Sequence, residues 1–218
     1  MITGLSRLEC ERLSGTERFK GDGAPDDCTL RDYWSWRSSL LLDNTERGIL
    51  AEFLIASALH LHITPRREWG DADIKLPSGV KIEIKSAAYV QSWEQYAYSN
   101  IQFRIAPHTG WDAFTDEYSD VKKRWAHLYV FCVYTRKKPP FDPMNVEEWD
   151  FYVIDTKILD AEVSTQKTIG LRPLERLPVH KCSYKNLRAV ILEMEKEIIL
   201  KSQSETGESG FGEPLLDR

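Results

Sequence analysis

The stretch DADIKLPSGVKIEIKSA, residues 71–87, decides how the rest of the chain is read. Pro77-Ser78-Gly79 is a turn signal between two short runs of alternating polar and apolar residues, the pattern of a β-hairpin. Successive side chains of a strand point to opposite faces, so Val80, Ile82 and Ile84 share one face and Lys81, Glu83 and Lys85 line the other. With Ser78 at the middle of the turn, counting the register sets Asp73 opposite Glu83 and Asp71 opposite Lys85. Directly opposed residues bring their Cβ atoms within about 4.5–5.5 Å, close enough for two carboxylates to share one cation. A bulge or a one-residue slip would change these partners.

Upstream, Asp43-Asn44-Thr45 offers N-caps for a helix through ERGILAEFLIASALHL, where Ile49, Leu50, Phe53, Leu54, Ala56 and Leu59 supply an apolar stripe. Glu46 is a first-turn acid that suits the helix dipole. Glu52 lies in the otherwise apolar part, where a carboxylate costs desolvation energy unless a cation, a donor or a metal compensates it. Thr29 and Asp32 have capping-box spacing for a short helix carrying Tyr33, Trp34 and Trp36, rings expected to cover the core rather than to stack on bases.

Downstream, residues 87–99 read as a helix with Gln91 and Gln95 on one face, and Trp93 and Tyr96 are expected to pack together against the core. Residues 100–107 read as a short strand and 108–120 as a loop. HLYVFCVYT, 127–135, is the best central strand, followed by a strand at 149–156, a brief helix from Lys157, an edge strand at 168–171 and a terminal helix at about 184–200. The expected organisation is an N-terminal arm with a short helix over 1–42, a core over 43–202 and a flexible tail over 203–218.

Composition bounds the function classes. The 218 residues are 42% hydrophobic and 29% charged, which excludes a wholly disordered, collagenous or coiled-coil chain and supplies enough apolar surface for one core. A net charge of -5 means that any nucleic-acid binding depends on a local basic surface. Lys122, Lys123, Arg124, Arg136, Lys137 and Lys138 bracket the 127–135 strand and are candidates for such a rim, or equally for the soluble ends of a buried strand. Cys10, Cys28, Cys132 and Cys182 include no close pair of the kind found in zinc knuckles or redox dithiols. The first residues carry charges where a secretory signal needs an apolar run, and no stretch approaches 18 apolar residues, so the expectation is a cytoplasmic chain with no membrane partner.

The ordered carboxylates point to metal-assisted hydrolysis. Asp73 and Glu83 are hard oxygen ligands of the kind that bind Mg²⁺, a cation that keeps several waters and also binds substrate phosphates. Glu52 is a third candidate, as a ligand, as a water-positioning group or as part of a second metal site. Lys85, two residues after Glu83 on the same face, is suited to activate a water or to stabilise charge on a phosphoryl oxygen. The plain alternative is an exposed hairpin of surface ion pairs, each worth about 0–1 kcal/mol.

Over residues 43–135 this set resembles the PD-(D/E)XK nuclease superfamily, the fold of type II restriction endonucleases, Holliday-junction resolvases and several repair or defence nucleases. By that resemblance Glu52 corresponds to the acid on the first core helix, Asp73 to the motif aspartate, and Glu83 and Lys85 to the acid-x-lysine of the next strand. Gln91 resembles a glutamine that follows the lysine motif in a subset of these enzymes, with Gln95 as its rival. Asp71 is a reserve metal ligand. No proline precedes either aspartate: Gly70 precedes Asp71 and Ala72 precedes Asp73, a departure from the literal motif.

The resemblance implies an α/β, restriction-endonuclease-like fold, a central mixed β-sheet flanked by helices. It also implies Mg²⁺-dependent hydrolysis of DNA phosphodiester bonds, with Mn²⁺ as a substitute cation, in restriction, defence or repair. Two other readings stay open: a nuclease-like DNA-binding or assembly module without catalysis, and an RNA-cleaving enzyme. A homodimer would let two centres cut opposite duplex strands, although no interface motif requires one.

Overall fold

Local chemistry sets the elements in order along the chain, and the computed structural model describes residues 10–66, 72–112 and 117–207. The arm is pinned to the first helix by an isolated bridge between Arg18 and Thr29 and by Arg31 N–H donating to the Gly15 carbonyl at 2.9 Å. Helix α1 (Leu30–Ser38) starts where the Asp32 carboxylate accepts from the Thr29 N–H at 2.7 Å and the Thr29 hydroxyl at 2.6 Å. Its aromatic face does not cover the core as expected: α1 has no buried residue, and Trp36 is 84% exposed. Trp34 lies instead on Gly15, where a Cβ would stand 2.9 Å from the indole.

Helix α2 (Asn44–Ala58) is capped by Asp43, whose carboxylate accepts from Thr45 N–H, and it buries Arg47, Ala51, Leu54 and Ile55. The hairpin follows as β1 (Ile74–Lys75) and β2 (Lys81–Ala88). The segment after β2 has no helix, contrary to the reading of 87–99; it is irregular up to β3 (Gln102–Arg104). Its Gln95 amide bonds the main chain from within, accepting from Gln91 N–H at 2.6 Å and donating to Ser99 Oγ at 3.0 Å, which replaces helical hydrogen bonding.

The expected loop at 108–120 is in fact largely a ribbon of β4 (His108–Asp112) and β5 (Glu117–Lys123), with 113–116 outside the described residues. Gly110 makes this ribbon fit: a Cβ there would meet the Trp125 ring at 2.4 Å, and Trp125 Nε1 donates to the His108 carbonyl at 2.8 Å.

Strands β6 (Leu128–Tyr134) and β7 (Trp149–Asp155) form the middle of the sheet, and all seven residues of β6 are buried. The chain then forms α3 (Thr156–Glu162), β8 (Thr168–Gly170), α4 (Leu171–Leu174), β9 (His180–Cys182) and α5 (Tyr184–Gly207). Helix α5 continues past the expected end at about 200 and into the expected tail, whose residues 208–218 lie outside those described.

The chain is therefore mixed α/β, with a five-stranded mixed sheet in the order β1-β2-β6-β7-β9. The β2–β6 pair is parallel and the others are antiparallel. One face packs Ile82, Ile84, Val130, Cys132, Phe151 and Val153 against α2 and α5. The other packs Ala87, Tyr129, Phe131, Val133, Tyr152 and Ile154 against the β3–β8 ribbon, α3 and α4. A strand buried on both faces reads as an unbroken apolar run, which is why β6 stands out in the sequence. Among the described residues no helix is long and apolar enough to cross a membrane.

Candidate active site

The hairpin turn is built by its own residues. Gly79 adopts φ +90°, which a side chain resists, and its N–H donates to the Leu76 carbonyl at 2.9 Å while Leu76 N–H donates to Val80 at 2.8 Å. The Ser78 hydroxyl bonds the Glu195 carboxylate, tying the turn to α5. Ile74 pairs with Ile82 and Lys75 with Lys81. The ladder ends at the Ile74–Ile82 pair, and Asp73 lies in the bend just before β1, near enough to Glu83 for the Glu83 charge to raise its carboxyl. Asp71, the reserve ligand and expected partner of Lys85, lies outside the described residues.

Alternation along β2 buries Ile82 and Ile84 under α2 and turns Glu83 and Lys85 to the opposite face. Lys85 Nζ stands 2.5 Å from Glu83 Oε1, and both side chains keep partial access to water. Asp73 Oδ2 accepts the Ile84 N–H at 2.6 Å, so its carboxylate is drawn against β2. Burial, and then the Glu83 charge, push the Asp73 carboxyl up to about 7 from the ordinary 3.8. The Ile84 N–H and Lys85 oppose that rise, and Glu52 adds to it. Among the described residues Asp73 has no ion pair of its own.

Tyr129, which the sequence reading omitted, is the cross-strand partner of Glu83 on β6. Burial, then the negative charge of Glu83, hold its hydroxyl well above its usual range, so it is a neutral group at physiological pH. Arg66 is the second omission. Its guanidinium grips Glu52 through Nε at 2.5 Å and Nη2 at 3.1 Å, a bidentate clamp on the α2 carboxylate. Neither had a local signal, because one pairing depends on strand register and the other on where an irregular connection folds back.

Gln91 is not on a helix. Its Oε1 accepts from Arg47 Nη1 at 3.0 Å and its Nε2 donates to the Ala88 carbonyl at 2.9 Å. Arg47 is only 4% exposed, and it also donates to the Leu42 carbonyl and to Asn44 Oδ1. Gln91 and Gln95 thus brace the segment that leaves β2.

The basic residues divide. Arg124 is buried, donating to the carbonyls of Ile105 and Val163 and pairing with Asp160, so it is part of the scaffold and not of a phosphate-contacting rim. Lys122 and Lys123 are exposed at the end of β5, with Lys123 over the Trp125 ring, and Lys137 and Lys138 are exposed beyond the end of β6.

Among the described residues no three His, Cys, Asp or Glu side chains are gathered as a ready metal cage. Glu83 and Glu52 are each held by a cation of the protein, Lys85 and Arg66. Asp73 and Glu83 are the hairpin carboxylates that could hold a cation; two carboxylates suit a hard divalent ion that keeps several waters, and the rise of the Asp73 carboxyl, caused by burial and then by the Glu83 charge, is one that a bound cation would oppose. No protein-family model matches the chain, and no curated protein matches it in sequence.

Proposed function

We propose that this chain is a Mg²⁺-dependent DNA endonuclease with a restriction-endonuclease-like, PD-(D/E)XK fold, working in the cytoplasm. The observation that carries the reading is the nearness of Asp73 to Glu83 at one hairpin, with Lys85 on the same face as Glu83 and the Asp73 carboxylate held against β2 by the Ile84 N–H. Asp73 and Glu83 would hold the cation, with Glu52 and Asp71 as further acids of the proposed set. A bound Mg²⁺ supplies Lewis-acid stabilisation of charge developing on the phosphoryl oxygens. Lys85 presents an ammonium to the attacking water and to a phosphate oxygen, which favours the deprotonated nucleophile and stabilises the anionic transition state. Arg66 holds Glu52 at the edge of the site, and Gln91 steadies the end of β2 through Arg47. A homodimer would present two such centres to the two strands of a duplex.

The test is cleavage of single-stranded, duplex, branched and damaged DNA, with matched RNA, with and without Mg²⁺ or Mn²⁺. Metal-dependent DNA cleavage that falls by about 10²-fold or more in Lys85→Ala is expected. Cleavage that is absent in the wild type, or unaffected in Lys85→Ala, overturns the assignment. A second reading is a nuclease-like DNA-binding or assembly module. It is favoured by the ion pairs already closed on Glu83 and Glu52, and its signature is metal-independent DNA binding without hydrolysis. A preference for RNA in the same panel identifies the RNA-cleaving alternative.

A further inference from the structure

The segment between β2 and β3 is an ordered loop whose rings face water. Ser99 N–H donates to the Tyr89 carbonyl at 2.9 Å, which brings the loop ends together. The Gln95 amide fills its centre, and the Tyr98 hydroxyl donates to the Lys137 carbonyl at 3.2 Å. On this braced frame Trp93 is 54% exposed, Tyr98 55% and Tyr96 98%. The expectation that Trp93 and Tyr96 pack against the core does not hold. Fixing a loop costs conformational entropy, and rings that bury little surface return little of it, so the arrangement has the character of an interaction surface.

Charge and continuity identify the occupant. Lys137 Nζ sits 4.1 Å from the centroid of the Tyr89 ring and 5.7 Å from that of Tyr98, a cation between two aromatic faces, with Arg136 and Lys138 beside it in sequence. Tyr89 packs against the same core cluster as Ala87, on the face of the sheet that carries Glu83 and Lys85. Tyr89 lies four residue steps beyond Lys85, just past the end of β2, about 13 Å at about 3.3 Å per step, which matches roughly four stacked nucleotides at about 3.4 Å each.

We propose that this loop docks an unpaired strand of DNA, with bases stacked on Trp93, Tyr96 and Tyr98, phosphates met by Lys137 and Lys138, and the strand led toward Asp73, Glu83 and Lys85. The assignment of DNA rests on the nuclease reading above. The preference for an unpaired strand comes from the rings, because bases in a duplex have their faces covered by one another and an unpaired base does not.

The experiment measures anisotropy of fluorescein-labelled 12-nucleotide thymidine DNA, the corresponding RNA and a 12-base-pair duplex with the full chain in EDTA. Trp93→Ala/Tyr96→Ala is expected to weaken single-stranded DNA binding by about tenfold or more and duplex binding by less than about twofold. Trp93→Phe/Tyr96→Phe, which keeps a stacking face, is expected to stay within about threefold of wild type. Unchanged circular dichroism and melting temperature exclude misfolding as the cause. Equal affinity of the alanine variant, tighter binding of RNA than of DNA, or no affinity for any oligonucleotide overturns the proposal. Because binding is read without a cation, a chain that docks DNA in this way yet cleaves nothing refutes the nuclease reading alone. Lys85-dependent cleavage together with unchanged binding by the alanine variant refutes only the docking surface.

Discussion

Replacing Asp73 with Asn removes a charge that the native hairpin holds at a cost, and the size of that cost is worked from the site. The carboxyl is pushed from the ordinary 3.8 up to about 7 by burial and by Glu83. The native state therefore keeps the proton that the unfolded chain releases, and raising the pH through this window favours unfolding. The contribution is fully favourable below the unfolded value and is lost as the pH climbs to the folded one. At 1.36 kcal/mol per unit, the loss is about 4 kcal/mol at pH 8 and about 1 kcal/mol at pH 4.5.

Asn keeps an acceptor for the Ile84 N–H but accepts more weakly than a carboxylate, a loss of about 1 kcal/mol. The metal-free variant is thus expected to be about 3 kcal/mol more stable than wild type at pH 8, which for a chain of this size is roughly 6–12 °C in melting temperature. That advantage should shrink by about 3 kcal/mol between pH 8 and pH 4.5. Urea unfolding of both proteins in EDTA at the two pH values is the measurement, and titrating groups remote from the hairpin cancel in the difference. Parallel pH profiles for wild type and variant would refute the account of Asp73 as an acid held without its own cation.

The same carboxyl makes metal binding a competition with a proton. Mg²⁺ affinity, read by calorimetry, is expected to rise by up to about tenfold per pH unit below pH 7 and to level off above it, whereas Asp73→Asn should bind weakly and without that slope. Gln91→Ala leaves the buried Arg47 short of an acceptor and should lower stability by about 1–3 kcal/mol in urea unfolding. Arg124→Ala should cost about 3–5 kcal/mol in the same assay, because it leaves the Ile105 and Val163 carbonyls without their donor and breaks the pair with Asp160.

The parts legible in the sequence are those whose cause is local. Pro77-Ser78-Gly79 sets its turn by backbone preference and the period of two along 80–85 sets the faces, so the pairing of Ile74 with Ile82 and of Lys75 with Lys81 follows from counting. The unbroken apolar run of β6 announces a strand covered on both sides. What was not legible depends on partners distant in sequence. Residues 87–99 have helical spacing on paper, but the Gln95 amide satisfies the backbone there, and the Arg47–Gln91 bond ties the segment to α2. Strand β9 is three residues long, too short for a period to register, and exists because β7 offers it an edge. Arg124 looks like one of a run of exposed cations, and only the arrival of β3 and α3 turns it into a buried donor.

The hairpin edge combines two properties that conflict in a purely structural role. Its apolar face, Ile82 and Ile84, is fixed under α2, so the odd-numbered residues have no freedom to turn away, and Glu83 and Lys85 must share the other face whatever charges they carry. The Ile84 N–H holds the Asp73 carboxylate against β2, where the Glu83 charge acts on it. The Lys85 ammonium lies on Glu83, and among the described residues Asp73 has no ion pair of its own. If stability were the only demand, Asp73→Asn would relieve a carboxyl that burial and the Glu83 charge hold above its ordinary range, at the loss of part of its bond to the Ile84 N–H. A cation bound between the two carboxylates would oppose that rise, and this is the physical ground on which the proposed function rests.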